Sequence, residues 1–249
     1  MSKVAIVTGG GSGLGQATAV RLAEEGVNVS VVDISEEGGN KTVEMVKDKG
    51  ADAIFIKADV SKNEDVKNYV DETVSHFGTI DYFFNNAGIS GSGKYFLDSD
   101  IEEIEQIVGI NLLGALYGVR HVAEVMKKQG SGAIVNTASS AGVIGQDSVV
   151  TYSATKHGII GLTKSMVAEY AKEGLRVNAI APGPTETEMV RNFYKDNPEM
   201  KENAESGIPQ KRLGTPEEVA ELVTFLLTSK AEYINGEVIR IDGGFTNVK

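Results

Sequence analysis

Short apolar runs alternate with helix-like stretches along the whole chain. The runs contain four to six mainly apolar residues and end in glycine or polar residues; they cover 3–7, 27–32, 53–57, 80–84, 133–137, 176–180 and 238–241. Continuous apolar runs of this length are typical of strands buried on both faces of a parallel sheet. The alternation predicts one α/β domain over residues 1–249, with a doubly wound sheet of about seven strands and helices on both faces.

The segments between the runs carry apolar residues at helical spacing, and several begin with a helix-start signal. Ser61-x-x-Glu64 and Ser99-x-x-Glu102 predict capping boxes that open helices, the second running to about Lys128. Thr215 followed by Pro216 predicts a further helix start. Residues 188–212 are instead polar and weakly periodic, which favours either a substrate lid or a plain surface excursion.

A glycine-rich loop joins the first strand to the first helix. Its spacing is Gly9-x-x-x-Gly13-x-Gly15, within the sequence TGGGSGLG. Glycines let the backbone approach a pyrophosphate closely, and the free N–H groups at a helix start favour negative charge. A loop flanked by strand and helix in this way predicts a dinucleotide site.

An acidic residue, Asp33, ends the second strand about 20 residues beyond the glycine loop. A carboxylate there can accept hydrogen bonds from the adenosine ribose and repels a 2′-phosphate. Gln16 stands where a basic residue would help to bind that phosphate. The pattern therefore favours NAD over NADP, although Asp33 could also simply end a strand.

Three polar groups follow the fifth apolar run at spacings that suit proton transfer. Tyr152 and Lys156 are four residues apart, so on a helix they share one face. A neighbouring ammonium favours the phenolate and is expected to lower the tyrosine pKa towards the range of general acid and base catalysis. Ser139, thirteen residues before the tyrosine, can offer a hydroxyl to the same substrate oxygen. A Tyr and a Lys at this spacing also occur on ordinary solvated helices.

Taken together, these motifs resemble the short-chain dehydrogenase/reductase family, from Lys3 to about Gly244. The resemblance rests on the glycine loop, on Asn85-Asn86-Ala87-Gly88, on the Ser139, Tyr152 and Lys156 pattern, and on Pro182-Gly183-Pro184-Thr185-Glu186-Thr187. It implies a Rossmann-type fold, NAD as cofactor and a homotetramer. More apolar positions on the two long helices, 104–126 and 150–170, than one sheet face needs also favour an oligomer.

The resemblance also implies roles for individual residues. The catalytic group would be Ser139, Tyr152, Lys156 and Asn111, with Asn111 holding a water linked to the lysine or simply being a satisfied buried amide. Cofactor contacts would come from Gly9, Ser12, Gly13, Leu14, Gly15, Asp33, Asp59, Val60, Asn86, Ala87, Gly88, Tyr152, Lys156, Pro182, Gly183, Thr185 and Thr187. For Asn85 a structural role, tying neighbouring strands together, is the better interpretation. Thr185 stands where the family usually has an apolar residue.

Composition narrows the function classes. Lys and Arg total 24 against 35 Asp and Glu, a net charge of −11 that opposes binding to nucleic acid. The chain has no cysteine, its three histidines lack metal-ligand spacing, and no apolar run approaches ~18 residues, so we expect no metal, no membrane span and a cytoplasmic protein.

The leading functional interpretation is an NAD-dependent oxidoreductase that interconverts a small secondary alcohol or diol and its ketone. The sequence FFNNAGI and the Ala-Ser-Ser-Ala-Gly region resemble that branch of the family most. A 3-oxoacyl-[acyl-carrier-protein] reductase is the alternative; Asp33 opposes it, whereas Lys127 and Lys128 could dock an acidic carrier. A catalytically silent NAD-binding regulator is a third possibility, which the intact catalytic group opposes.

Overall fold

A computed structural model describes residues 2–187, 190–191 and 198–248. Within that part, seven parallel strands form a single sheet in the order β3-β2-β1-β4-β5-β6-β7. The strands are β1 (Val4–Thr8), β2 (Asn28–Asp33), β3 (Ala53–Lys57), β4 (Tyr82–Asn85), β5 (Gly132–Thr137), β6 (Leu175–Pro182) and β7 (Val238–Ile241). The predicted doubly wound parallel sheet is therefore confirmed.

Helices cover both faces of this sheet. They are α1 (Gly13–Glu24), α2 (Glu36–Asp48), α3 (Asn63–Phe77), α4 (Ile101–Val108), α5 (Gly114–Gln129), α6 (Val150–Tyr170), α7 (Pro198–Ser206) and α8 (Pro216–Leu227). A π-helical segment, Gly109–Leu113, joins α4 to α5, where the sequence predicted one continuous helix. No helix in the described ranges is both long and apolar enough to cross a bilayer.

Successive residues of a strand pack alternately into two hydrophobic cores, one on each face of the sheet. In β1, Ala5 and Val7 pack in the core that contains Leu22 of α1, whereas Ile6 belongs to the opposite core with Tyr69 of α3. Neither face of the strand is therefore exposed, which explains its unbroken apolar sequence.

The chain order reverses at β1, which lies between β2 and β4. From β1 the chain runs outward on one side, through β2 and then β3. It then crosses back past β1 to begin β4 on the other side. The connections leave in opposite directions at this point, so a crevice opens at the carboxyl ends of β1 and β4. This crevice is the place where a ligand of such a sheet is expected.

The predicted helix starts have different outcomes. The capping box at Thr215 is confirmed, because its hydroxyl accepts from the Glu218 N–H while the Glu218 side chain accepts from the Thr215 N–H. The box at Ser61 is wrong: its hydroxyl donates to Asp59, and α3 begins two residues later. The box at Ser99 is also wrong, since that hydroxyl donates to Tyr95 O at 3.3 Å.

The predicted lid, 188–212, falls partly outside the described residues. Residues 188–189 and 192–197 are not among them, and the rest includes helix α7. The two ends of the segment lie close together, because Glu186 N donates to Gly214 O at 2.8 Å. Lys201 of α7 also forms an ion pair with Glu186 at 2.9 Å.

Candidate active site

A cleft of about 790 Å³ opens at the carboxyl ends of β1 to β5. It contains residues from the glycine loop, from the ends of β2 and β3, from the loop after β4 and from α6. Thirteen of the sequence-predicted site residues line it: Gly9, Ser12, Gly13, Leu14, Asp33, Asp59, Val60, Asn86, Ala87, Gly88, Tyr152, Lys156 and Thr187. The other predicted residues do not line it: Gly15, Asn111, Ser139, Pro182, Gly183 and Thr185.

The glycine loop follows a path that side chains would block. Gly9 has a φ of +63°, and a Cβ there would lie 3.1 Å from Ala87 Cα. Gly15 is not on the cleft surface; a Cβ on it would lie 2.0 Å from Gly9 O. Gly15 therefore allows α1 to start directly against the loop, which turns the free N–H groups of the helix start towards the cleft.

Asp33 is tied to the glycine loop through its carboxylate. One oxygen accepts from Gly11 N and the other from Ser35 N, both at 2.8 Å. Gln16 is engaged beside it, donating to Thr42 Oγ1 at 2.9 Å. The carboxylate therefore fixes the loop and still presents its negative charge to the cleft.

Asn86 joins the ends of three strands. Its amide nitrogen donates to Thr8 O at 3.0 Å, and its carbonyl oxygen accepts from Thr137 Oγ1 at 3.2 Å. The Thr8 hydroxyl in turn accepts from the N–H groups of Asn86 and Ala87 at 2.9 and 3.2 Å. Small residues and satisfied amides thus form the floor of the cleft.

Asn85 has the structural position expected for it. Its amide nitrogen donates to Asn136 Oδ1 of β5 at 2.9 Å and to Ala115 O of α5 at 3.1 Å. These bonds tie β4 to β5 and to α5 below the cleft.

Asp59 and Val60 form the side of the cleft beyond β3. The Asp59 carboxylate accepts from both the N–H and the hydroxyl of Ser61, and these bonds hold its pKa below the usual range. Val60 O would lie 2.9 Å from a Cβ on Gly114, so that glycine lets the start of α5 pack against this wall.

Ser139 lies at the start of a turn that packs against α6. Its hydroxyl accepts from Ala141 N at 3.1 Å and interacts with the Tyr152 hydroxyl. A Cβ on Gly142 would lie 2.9 Å from the Lys156 carbonyl carbon, so only glycine allows this approach. Ser140, the neighbouring alternative, instead accepts from Gln146 at 3.2 Å. The geometry brings Ser139, and not Ser140, to the tyrosine.

Lys156 is buried beneath the tyrosine. Its ammonium donates to Thr137 O at 2.7 Å and lies 5.5 Å from the centre of the Tyr152 ring. Burial lowers the pKa of Lys156 to about 8, because the charged form loses its hydration. The group can therefore change its charge near neutral pH.

The expected net lowering of the Tyr152 pKa is wrong. Burial raises the pKa of this phenol, and the hydrogen bond with Ser139 offsets only part of that effect. The physical reason is that the low-polarity surroundings penalise the phenolate, while the lysine is held by Thr137 rather than by the phenol. Tyr152 is therefore a neutral proton donor at neutral pH.

Asn111 is buried in the π-helical segment and has its hydrogen bonds satisfied. Its amide nitrogen donates to Ile89 O, and its oxygen accepts from Ile89 N, both at 2.8 Å. A Cβ on Gly88 would lie 3.1 Å from the Asn111 oxygen and 3.5 Å from the Lys156 ammonium. The side chain thus clamps the chain that follows β4, next to the lysine.

The loop after β6 contributes unevenly to the cleft. Thr187 lines it and approaches the glycine loop, since a Cβ on Gly13 would lie 3.3 Å from the threonine methyl group. Pro182, Gly183 and Thr185 do not line it. Gly183 packs against Asp242, and the Thr185 hydroxyl donates to Gly183 O at 3.0 Å. These three residues support the loop that presents Thr187.

Sequence reasoning missed a substantial part of the lining. The missed residues are Val32, Ile34, Ala58, Ile89, Ser90, Gly91, Glu103, Gln106, Ile110 and Thr137. Most of them belong to the loop after β4 and to the helices that follow. The glycine- and serine-rich run after Gly88, at the carboxyl end of a strand, was the one available signal. Across the described ranges, no group of three or more acidic or histidine side chains is placed to hold a metal ion.

Comparisons with known proteins agree with this architecture. A family profile described as Enoyl-(Acyl carrier protein) reductase matches residues 9–246. Levodione reductase of Leifsonia aquatica is 45% identical over 97% of this chain and 93% of its own, and its crystal structure superimposes with a TM-score of 0.94, covering 99% and 98% of the two chains.

Two further relatives differ in their reactions. Cyclohexanol dehydrogenase of Acinetobacter sp. strain SE19 is 40% identical over 99% of this chain and 96% of its own. A 3-ketoacyl-(acyl-carrier-protein) reductase from Brucella melitensis, crystallised with NADH, is 32% identical with a TM-score of 0.91 over 98% of both chains. The matches extend over nearly the whole chain, and this protein belongs to the short-chain dehydrogenase/reductase family.

Proposed function

We propose that this protein is an NAD(H)-dependent oxidoreductase that interconverts a small secondary alcohol or diol and its ketone. The observation that carries the proposal is that Tyr152 lines the cleft together with Lys156, has Ser139 beside it and is held protonated. Levodione reductase is 45% identical to this chain and cyclohexanol dehydrogenase is 40% identical. By their names, they act on levodione and on cyclohexanol.

The cleft has the features that a nicotinamide dinucleotide requires. The glycine loop lies at a helix start, the Asp33 carboxylate lies at the end of β2, and Lys156 and Thr187 also line the cleft. A nicotinamide cofactor, when bound, would exchange hydride with the substrate carbon. Asp33 would bind the adenosine ribose, and Lys156 the second ribose.

Residues of the chain itself would supply and accept the proton. In ketone reduction, the Tyr152 hydroxyl donates its proton to the substrate oxygen, and Ser139 orients that oxygen and stabilises its developing charge. Lys156 lies close enough to favour the resulting phenolate when it is charged. Because burial raises the phenol pKa, we propose that reduction proceeds at neutral pH and that alcohol oxidation requires alkaline conditions.

The direct test is a panel of ketones and alcohols, followed by the absorbance of NADH with purified protein. We expect turnover with small cyclic ketones and with vicinal diols. Absence of turnover with every ketone and alcohol, although NADH binds, would contradict the proposal and favour a silent NAD-binding regulator.

A second prediction concerns the cofactor. The wild type should prefer NADH over NADPH by at least ~10-fold in kcat/KM, about 1.4 kcal/mol, because a 2′-phosphate would lie against Asp33. Asp33→Asn removes the charge and should narrow this preference, mainly by improving NADPH. Asp33→Ala should also weaken NADH binding, because Gly11 and Ser35 lose their acceptor.

The matched control is Glu44→Gln, which removes the charge of an exposed residue on α2. It should leave the preference for NADH over NADPH unchanged. Equal turnover of the wild type with both cofactors would contradict the assignment of NAD.

The alternative, a 3-oxoacyl-[acyl-carrier-protein] reductase, has support from the relative from Brucella melitensis. The lysines that suggested carrier docking are already paired: Lys127 lies 3.5 Å from Glu173, and Lys128 lies 3.1 Å from Glu124. Their charge is largely neutralised locally. Faster turnover with a 3-oxoacyl thioester than with any cyclic ketone would establish this alternative instead.

We also propose that the protein is a homotetramer. Apolar side chains are exposed on several helices, including Leu116 of α5, Val150 of α6 and Phe225 of α8, each at 38–47% exposure. Surfaces of this kind mark association sites. Sedimentation velocity should give a mass of four times the 26.4 kDa chain, and a monomer at micromolar concentration would contradict the proposal.

A further inference from the structure

The loop that follows β4 forms a wall between two spaces. One is the main cleft, and the other is a narrow slot beside Tyr152 with room for about one water molecule, 20 Å³. Ser90, Gly91, Glu103 and Tyr152 border both. The position of this loop therefore sets how much space lies next to the tyrosine.

This loop has little conformational restriction of its own. Gly91 and Gly93 both have positive φ values, +87° and +73°, and Ser92 lies between them. Glycines with serine between them give a flexible chain. An external contact is needed to hold such a segment in one position.

Glu103 of α4 provides that contact. One of its carboxylate oxygens accepts from Ser92 N, and the other accepts from Ser92 Oγ at 3.0 Å. Hydrogen bonds to a charged acceptor are stronger than those between neutral groups. Glu103 is thus bound through both oxygens to the central residue of the loop.

The loop is also packed directly against the helix. A Cβ on Gly91 would lie 2.7 Å from Ile107 Cδ1 and 3.1 Å from the Glu103 carboxylate. Any outward movement of Ser92 would therefore separate the loop from α4 and widen the slot. Apolar residues, including Phe96, Ile107 and Val150, line that slot together with polar ones such as Lys94 and Ser99.

We propose that Glu103 is a positioning residue that, by holding Ser92, keeps the cleft beside Tyr152 narrow and so favours small ring ketones over bulkier ones. The inference rests on the proposed ketone reduction. A carboxylate already bound through both oxygens does not transfer the proton, so Glu103 acts through the loop and not on the reacting atoms.

The test compares Glu103→Ala, Glu103→Gln and Ser92→Ala with the control Glu102→Ala, which removes an exposed charge from the preceding position. Cyclohexanone and the bulkier 4-tert-butylcyclohexanone serve as substrates. In Glu103→Ala we expect KM for cyclohexanone to rise about tenfold, as for one hydrogen bond to a charged group. The kcat/KM ratio of small to bulky ketone should fall by a similar factor, while NADH affinity is unchanged.

Two further results would show that the effect passes through the loop. Glu103→Gln keeps one acceptor oxygen and should recover part of the wild-type ratio of kcat/KM for small and bulky ketones. In the double variant, the effects of Ser92→Ala and Glu103→Ala on this ratio should not add. If the wild type is active and Glu103→Ala leaves the ratio of kcat/KM for the small and the bulky ketone unchanged, the assignment is overturned, even if the loop moves.

Hydrogen exchange separates this inference from the proposed function. Backbone amides of residues 90–94 should exchange faster in Glu103→Ala than in the wild type or Glu102→Ala, with or without a substrate. Unchanged exchange would overturn the holding of the loop. A wild type that reduces no ketone would overturn the proposed function and the selectivity, and exchange would still decide whether Glu103 orders the loop.

Discussion

Replacement of Tyr152 by phenylalanine is expected to reduce ketone reduction by ~10²–10⁴-fold, the usual contribution of a positioned general acid. The substitution removes the hydroxyl that is bonded to Ser139 and leaves the ring in place. Binding of NADH, measured by fluorescence titration, should change less than threefold, because Asp33 and the glycine loop are untouched.

Tyr233→Phe is the matched control, since that side chain is fully exposed and should tolerate the loss of its hydroxyl without any change in rate. A Tyr152→Phe enzyme with near wild-type turnover would show that another group supplies the proton. In that case the proposed reaction could remain, but its acid would have to be identified again within the cleft.

Replacement of Lys156 by methionine is expected to have opposite effects on activity and on stability. Loss of the ammonium should weaken NADH binding and lower kcat together, by ~10–100-fold in affinity, the worth of a hydrogen bond to a charged group. The free energy of unfolding at pH 7 should nevertheless increase. A native pKa of about 8 against 10.5 implies that burial of the charge costs about 3 kcal/mol.

Part of this gain is lost, because methionine leaves Thr137 O without its donor, which costs about 1 kcal/mol. We therefore expect a net stabilisation of about 2 kcal/mol at pH 7 in urea titrations. The dependence of the free energy of unfolding on pH follows from proton uptake. Between about pH 8 and 10.5 the unfolded wild type binds more protons than the native wild type. The free energy of unfolding of the wild type therefore rises with pH in this range. The difference between the two proteins should accordingly shrink from pH 7 to pH 9.5.

Lys164→Met, at an exposed position of the same helix, should change neither activity nor this pH dependence. A Lys156→Met protein that is less stable than the wild type at pH 7 would contradict the charge-burial argument. Full retention of NADH affinity would contradict the proposed contact with the cofactor.

Local patterns predicted most of the cofactor side of the site. The glycine loop and Asp33 follow directly from strand ends, and Tyr152 and Lys156 are linked by one helical turn. Such short-range relations are fixed by the geometry of the elements themselves. The structure places Gly9, Gly13, Asp33, Tyr152 and Lys156 on the cleft.

The substrate side could not be predicted in this way. Glu103, Gln106 and Ile110 line the same cleft as Tyr152 because α4 and the π-helical segment pack against α6, a relation that no local pattern records. The same limit explains the tyrosine pKa. Spacing predicts that Lys156 is near, whereas burial and the bond to Thr137 decide the outcome, and both depend on the assembled fold.

The π-helical segment between α4 and α5 fixes an angular relation across the site. A π turn closes through i→i+5 bonds and so contains one more residue than an α turn. Because the π turn takes up this extra residue, α4 and α5 stay nearly in phase across it, whereas deleting one residue from the adjoining α-helix would rotate α4 by about 100° relative to α5. Glu103 on α4 would then leave the loop, or the Ala115 carbonyl of α5 would leave Asn85. The π turn therefore keeps Glu103 of α4 aligned with the central strands although the connection contains an extra residue.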